Sequence, residues 1–104
     1  MSVVHVVAII SAKPGKRDNV LEAFHANIPN VHAEKGCIEY APVIDIKGVG
    51  GIQTEIGPDS FIVIEKWESL DCLKAHAASP HMAEYAKKVK AMLESRVVHV
   101  LSPA

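Results

Sequence analysis

Between Pro58 and Tyr85 the sequence gathers Phe61, Trp67, His76, His81 and Tyr85, side chains that can hold a flat ring and move a proton. An imidazole, with a reference pKa of about 6.5, can take and return protons near neutral pH. His76 follows Leu73 by three residues and so shares its helical face, which turns the ring inward. It reads either as a general base or as a core histidine held by a hydrogen bond. Trp67 reads as core packing or as the wall that holds an aromatic ring, with an indole N–H able to orient a substrate oxygen.

Other polar groups are open in the same way. The phenols of Tyr40 and Tyr85 can bond a substrate oxygen while their rings line a cavity, and Tyr85 can also pass a proton; both equally suit a structural place. Glu65 shares Trp67's strand face, where a carboxylate rises in pKa unless it is paired, so an interface salt bridge is its expected fate. Glu39 is in the same position on the neighbouring strand. Phe61, Leu73 and Met82 are candidate apolar contacts for a substrate. His81 lies one position off the Met82, Tyr85, Val89 stripe and is expected at the rim. His5 and His99 fall on strands expected to be neighbours, but two imidazoles without a third ligand make a poor site, and no metal is assigned.

These residues need elements to position them. Val3 to Ser11 is β-branched and apolar on both faces, a first strand closed by Lys13-Pro14-Gly15-Lys16. Val20, Leu21, Phe24, Ile28 and Val31 recur every three or four residues from about Lys16 to Ala33, which predicts an amphipathic helix that Pro29 kinks or ends. Cys37 to Ile46 reads as a strand, with Pro42 pointing to an edge or a bulge. Lys47 to Gly57 reads as a mobile, glycine-rich connection. Ser60 to Glu68 alternates in two registers, Ser69 caps a short helix from Leu70, and Ser79-Pro80 starts another whose apolar face runs from Met82 to Leu93. Arg96 to Ser102 completes the set as a fourth strand.

The order strand, helix, strand, strand, helix, strand predicts an α+β fold of the ferredoxin-like split βαβ type. Its four-stranded antiparallel sheet carries the helices on one face. Apolar residues in both registers of every strand imply that the bare face meets a second copy, giving a homodimer built sheet to sheet, a dimeric α/β barrel.

Composition narrows the classes. The 104 residues allow one domain, 1–104, and 49% hydrophobic against 22% charged residues is rich for so small a chain. Eleven Lys and Arg nearly balance twelve Asp and Glu, so nothing draws in nucleic acid or an anionic membrane. Val3 to Ile10 is far short of the roughly 20 residues of a membrane span. Cys37 and Cys72, without a CxxC pair, read as ordinary thiols in a reducing, cytoplasmic setting.

Ala12-Lys13-Pro14-Gly15, Glu34-Lys35-Gly36-Cys37, Ile64-Glu65-Lys66-Trp67-Glu68-Ser69, Ala75-His76 and Ser79-Pro80-His81-Met82 occur in that order along nearly the whole chain. In this the sequence resembles the antibiotic biosynthesis monooxygenase superfamily. Tyr40-Ala41-Pro42, Asp45, Pro58-Asp59-Ser60 and Tyr85 bring it nearest to the bacterial quinol monooxygenases. The resemblance implies a dimer, a pocket between sheet and helices, and oxygenation of an aromatic quinol by O2 without metal, flavin or haem. A deprotonated dihydroxy aromatic is electron-rich enough to reduce oxygen itself, so the protein needs a dry apolar cavity, an aromatic wall and a base. By that reading His76, Trp67 and Tyr85 are catalytic, and Tyr40, Phe61, Glu65, Leu73, His81 and Met82 bind substrate.

Other readings remain. Haem-degrading relatives use a histidine late in the second helix and an asparagine on the first strand; here those positions hold Ala86 and Ala8, which disfavours that activity. The tyrosine and arginine that relay the proton in some members correspond to Cys72 or Leu73 and to Lys87 or Lys88. A dimeric module that binds an aromatic ligand or serves a stress response without turnover is a further reading, as is an isomerase or decarboxylase using His76 on an acidic carbon.

Overall fold

Alternation in the first strand, β1 (Val4–Ala12), decides which side of the sheet is inside. Val4, Val6, Ala8, Ile10 and Ala12 are buried and the residues between them are not, the period of two that a strand imposes. The structure is a computed structural model that describes residues 2–104. After β1 come α1 (Arg17–His32), β2 (Cys37–Val43), β3 (Ser60–Trp67), α2 (Leu70–Ala77), α3 (Pro80–Val89), a 3-10 turn (Lys90–Met92) and β4 (Leu93–Leu101). The strands form one antiparallel sheet in the order β2-β3-β1-β4. This is the expected ferredoxin-like topology.

Register carries the inside face across the sheet. Val6 lies opposite Glu65 and Val100, Ala8 opposite Val63 and Val98, and Ile10 opposite Phe61 and Arg96. Those rows face the helices, whose Val20, Phe24, Val31 and Val89 join the same core. Phe24 stacks on Tyr40 at 5.1 Å and meets Phe61 and Tyr85 edge-on at 5.8 and 5.9 Å. Such pairs each add about 1 kcal/mol beyond area burial. The other face is also apolar: Val7 and Ile9 are flanked by Ile64 and Ile62 on one side and by His99 and Val97 on the other.

Several boundaries differ from the sequence reading for identifiable reasons. α1 continues through Pro29 to His32, since an exposed proline one turn from the end removes a single bond. β2 stops at Val43 instead of Ile46. Beyond it the Asp45 carboxylate accepts from the amides of Ile56 and Gly57 at 3.0 and 2.9 Å, tying both ends of the glycine-rich connection together. Those two bonds hold the Asp45 carboxyl below its ordinary value. α3 ends at Val89, so Leu93 begins β4 and does not extend the helical face.

The two expected caps also part. Ser69 accepts from the Cys72 amide at 3.2 Å and caps α2, whereas the Ser79 hydroxyl turns back and donates to the His76 carbonyl at 2.8 Å. Pro80 alone marks the start of α3. Ser79 thereby closes α2 just after His76.

Gly36 precedes β2 with φ +81°, and a Cβ there would come within 2.8 Å of Cys72 Cβ. Both the left-handed backbone and the close approach of α2 require glycine. Gly36→Ala should destabilise the chain by about 3 kcal/mol, measured as a shift in the urea midpoint.

Candidate active site

Trp67 ends β3 and Leu70 starts α2, so only Glu68 and the capping Ser69 separate the strand from the helix that carries His76. That tight handover lays the His76 ring over Trp67, centroids 4.6 Å apart and tilted by 36°. Tyr40 of β2 meets it edge-on at 5.4 Å. His76 is only 5% exposed, and a ring nitrogen at such a depth needs a partner. Glu34 supplies it: Oε2 accepts from His76 Nδ1 at 2.8 Å. Nδ1 therefore carries the hydrogen, and Nε2 is the unprotonated nitrogen of the neutral ring, the Glu34 contact being the ring's one hydrogen bond among the described residues.

A second histidine meets the same carboxylate. The Asn27 amide donates to His81 Nδ1 at 3.1 Å, so the neutral ring keeps its hydrogen on Nε2. Nε2 lies 3.2 Å from Glu34 Oε2 but is too poorly aimed for a hydrogen bond. Asn30 in turn donates to Asn27 at 3.0 Å. A polar chain thus runs from α1 through His81 and Glu34 to His76. Among the described residues, no group of three or more His, Cys, Asp or Glu is arranged to hold a metal ion.

Beside this chain lies a cavity of about 810 Å³ between sheet and helices, within the size range of small-molecule sites. Val6, Ala8, Ile10 and Val63 form its floor, and Phe24, Leu73, Met82 and Ala86 its roof. Tyr40, Glu65, His76 and Tyr85 contribute polar atoms. Burial drives the Tyr85 phenol up to about 12 and the Tyr40 phenol higher still. Both remain hydrogen-bond donors at neutral pH and are poor bases there.

Six of the residues singled out in the sequence therefore meet at the cavity: Tyr40, Glu65, Leu73, His76, Met82 and Tyr85. Three do not. Trp67 and Phe61 are wholly buried behind the wall, one under His76 and the other against Phe24. The Trp67 indole N–H is also taken, donating to Glu65 Oε1 at 2.9 Å, so it is not free to orient a substrate oxygen. His81 lines a separate cleft of about 260 Å³ between α1 and α3. Glu65, expected in an interface salt bridge, instead faces the cavity, because its even register with Trp67 places both under the helices.

The sequence reading missed two residues. Glu34 lies just after α1, and its 42-residue separation from His76 carries no spacing signal. Arg96 was counted only as a strand residue, yet its pairing with Ile10 puts it on the cavity wall.

Comparison with known proteins agrees with this architecture. The sequence profile of the antibiotic biosynthesis monooxygenase family matches residues 3–88. The chain belongs to that family. It is 38% identical over 100 residues to the Escherichia coli K12 protein named "Probable quinol monooxygenase YgiN", covering 94% of this chain and 95% of that one. Among solved structures, Rv0793 from Mycobacterium tuberculosis superposes with a TM-score of 0.80 at 27% identity, covering 99% and 96% of the two chains. PA3566 from Pseudomonas aeruginosa gives 0.81 at 21% identity over 100% and 96%, a likeness of fold. Membership and the E. coli relative support monooxygenase activity in general. Ala8 and Ala86 both line the large cavity, so the positions matched to haem-degrading relatives present only methyl groups.

Burial pushes the Glu65 carboxyl above its ordinary value, opposed by the Trp67 hydrogen bond and the charges of His76 and Arg96. A raised folded-state pKa gives stability that is full below the unfolded value of 4.5 and is lost as pH rises through the folded one. Glu65→Gln keeps an acceptor for Trp67 without that loss. The variant should be more stable than the parent at pH 7, with the gap closing toward pH 4, as read from thermal midpoints across that range.

Proposed function

We propose that the protein oxidises a small aromatic quinol with molecular oxygen, the substrate acting as its own electron source and no other cofactor taking part. The hydrogen-bonded Glu34–His76 pair at the wall of a largely apolar cavity carries this reading. Glu34 holds the Nδ1–H, so Nε2 is the atom that takes the proton of a quinol hydroxyl. The imidazolium formed is stabilised by the carboxylate behind it. Tyr40 and Tyr85, held as neutral phenols, donate to the substrate oxygens and become more effective as negative charge grows on them. Leu73, Met82 and Phe24 keep water from the ring, and Trp67 sets the plane of His76 from beneath. The E. coli relative's name points to the same substrate class.

The working unit in this reading is a homodimer of the single domain. The outer sheet face presents Val7, Ile9, Ile62, Ile64, Val97 and Leu101, too much apolar surface for a monomer to leave wet. Among the described residues, no helix is long and apolar enough to cross a membrane. Cys37 and Cys72 are free thiols, which suits a cytoplasmic location.

Two measurements test this. In an oxygen electrode, protein should raise uptake by reduced menadione well above the uncatalysed rate. His76→Ala should cut the excess by about 10²–10⁴-fold, and Glu34→Gln by less; equal uptake with and without protein would end the proposal. Light scattering should give twice the 11.2 kDa chain mass, and Ile9→Glu should halve it.

A further inference from the structure

Arg96 is the one arginine on the cavity wall, and it is unpaired. β4 carries it opposite Ile10, on the face turned toward the helices, and no hydrogen bond or ion pair engages its guanidinium among the described residues. Lys74 of α2 and Lys90 of the 3-10 turn line the same cavity, likewise without an anionic partner. The only carboxylate on the wall is Glu65, whose Oε1 is occupied by the Trp67 indole. Three cations thus border a cavity in a chain whose net charge is −1.

Position separates this charge from the base. His76 packs on Trp67 of β3, opposite Val4 of β1, whereas Arg96 of β4 stands opposite Ile10, two strand spacings across the sheet and six residues further along β1, its side chain reaching back over the floor. Between them the floor is Val6, Ala8 and Ile10, a surface for a flat apolar body. Val98 and Val100 beside Arg96 are 40% and 51% exposed, so the cavity opens at this edge. The charge is felt inside, since it makes Tyr40, Tyr85 and Glu65 easier to ionise.

We infer that Arg96 forms an anion subsite, and that the preferred ligand is a bicyclic aromatic bearing a carboxylate at the end remote from the group that meets His76. This rests on reading the cavity as an aromatic site and names the substrate class more narrowly. A guanidinium presents a planar fork that matches a carboxylate with two parallel bonds. At the cavity mouth it keeps enough solvent to remain charged when empty, so holding it unpaired costs little. A neutral quinol of the same shape gains the apolar contacts but leaves the fork unanswered.

Calorimetric titration with 2-naphthoate and its neutral counterpart 2-naphthamide separates this from turnover. The carboxylate should bind about tenfold more tightly or better, with the advantage shrinking as salt is raised. Arg96→Gln should erase the advantage and Arg96→Glu should reverse it, with thermal midpoints confirming that both variants fold. Equal affinity for the two probes, no binding of either, or a preference that survives Arg96→Gln would each overturn the subsite. Naphthoate held through Arg96 without any protein-dependent oxygen uptake would keep the subsite and remove the monooxygenase reading.

Discussion

The hydrogen bond between Glu34 and His76 is the constraint on which the site depends. An imidazole sealed under a short helix, with Trp67 below and Tyr40 beside it, cannot leave Nδ1 unanswered without losing about 2 kcal/mol. The acceptor comes from the turn after α1, so one bond ties α1, α2 and the end of β3 into a single body. Gly36 makes that approach possible, because its bare Cα lets Cys72 of α2 sit against the chain just beyond Glu34. The same bond fixes the tautomer. A base is thereby prepared by the packing that holds the fold together.

Polar atoms elsewhere in the interior are mostly paired as well, Arg17 Nε and His81 Nε2 being buried without a hydrogen bond. The Trp67 indole and the Glu65 carboxylate answer each other, which lets a carboxylate stand beside an apolar cavity without a salt bridge. Asn30, Asn27 and His81 Nδ1 are linked by hydrogen bonds toward the second cleft. The large cavity is otherwise apolar, and its polar groups include atoms left free: His76 Nε2, two phenols, Arg96, Lys74 and Lys90. Those free atoms are the ones available to a ligand.

The sheet divides the molecule's two tasks by register. One row of each strand builds the core and cavity floor, and the other presents valine and isoleucine to the outside. A shift of one residue in β1 would exchange the faces and destroy both. Ile44, Ile46 and Ile52 extend the exposed apolar surface into the glycine-rich connection, whose ends Asp45 clamps.

The sequence by itself determined the elements and their order. The β-branched apolar run of β1, the two registers of β3, the three-and-four spacing of Val20, Phe24 and Val31, and the Ser69 and Pro80 start signals are local patterns, readable because backbone periodicity is local. It also singled out His76, through helical phase with Leu73. Tertiary structure decided the partners. Glu34 reaches His76 across 42 residues, and Arg96 joins the cavity only through its pairing with Ile10. Trp67, read as core packing or as a wall, is a buried support because strand and helix close over it. Whether a side chain lines a cavity or lies beneath it depends on what packs above, and spacing along the chain holds no record of that.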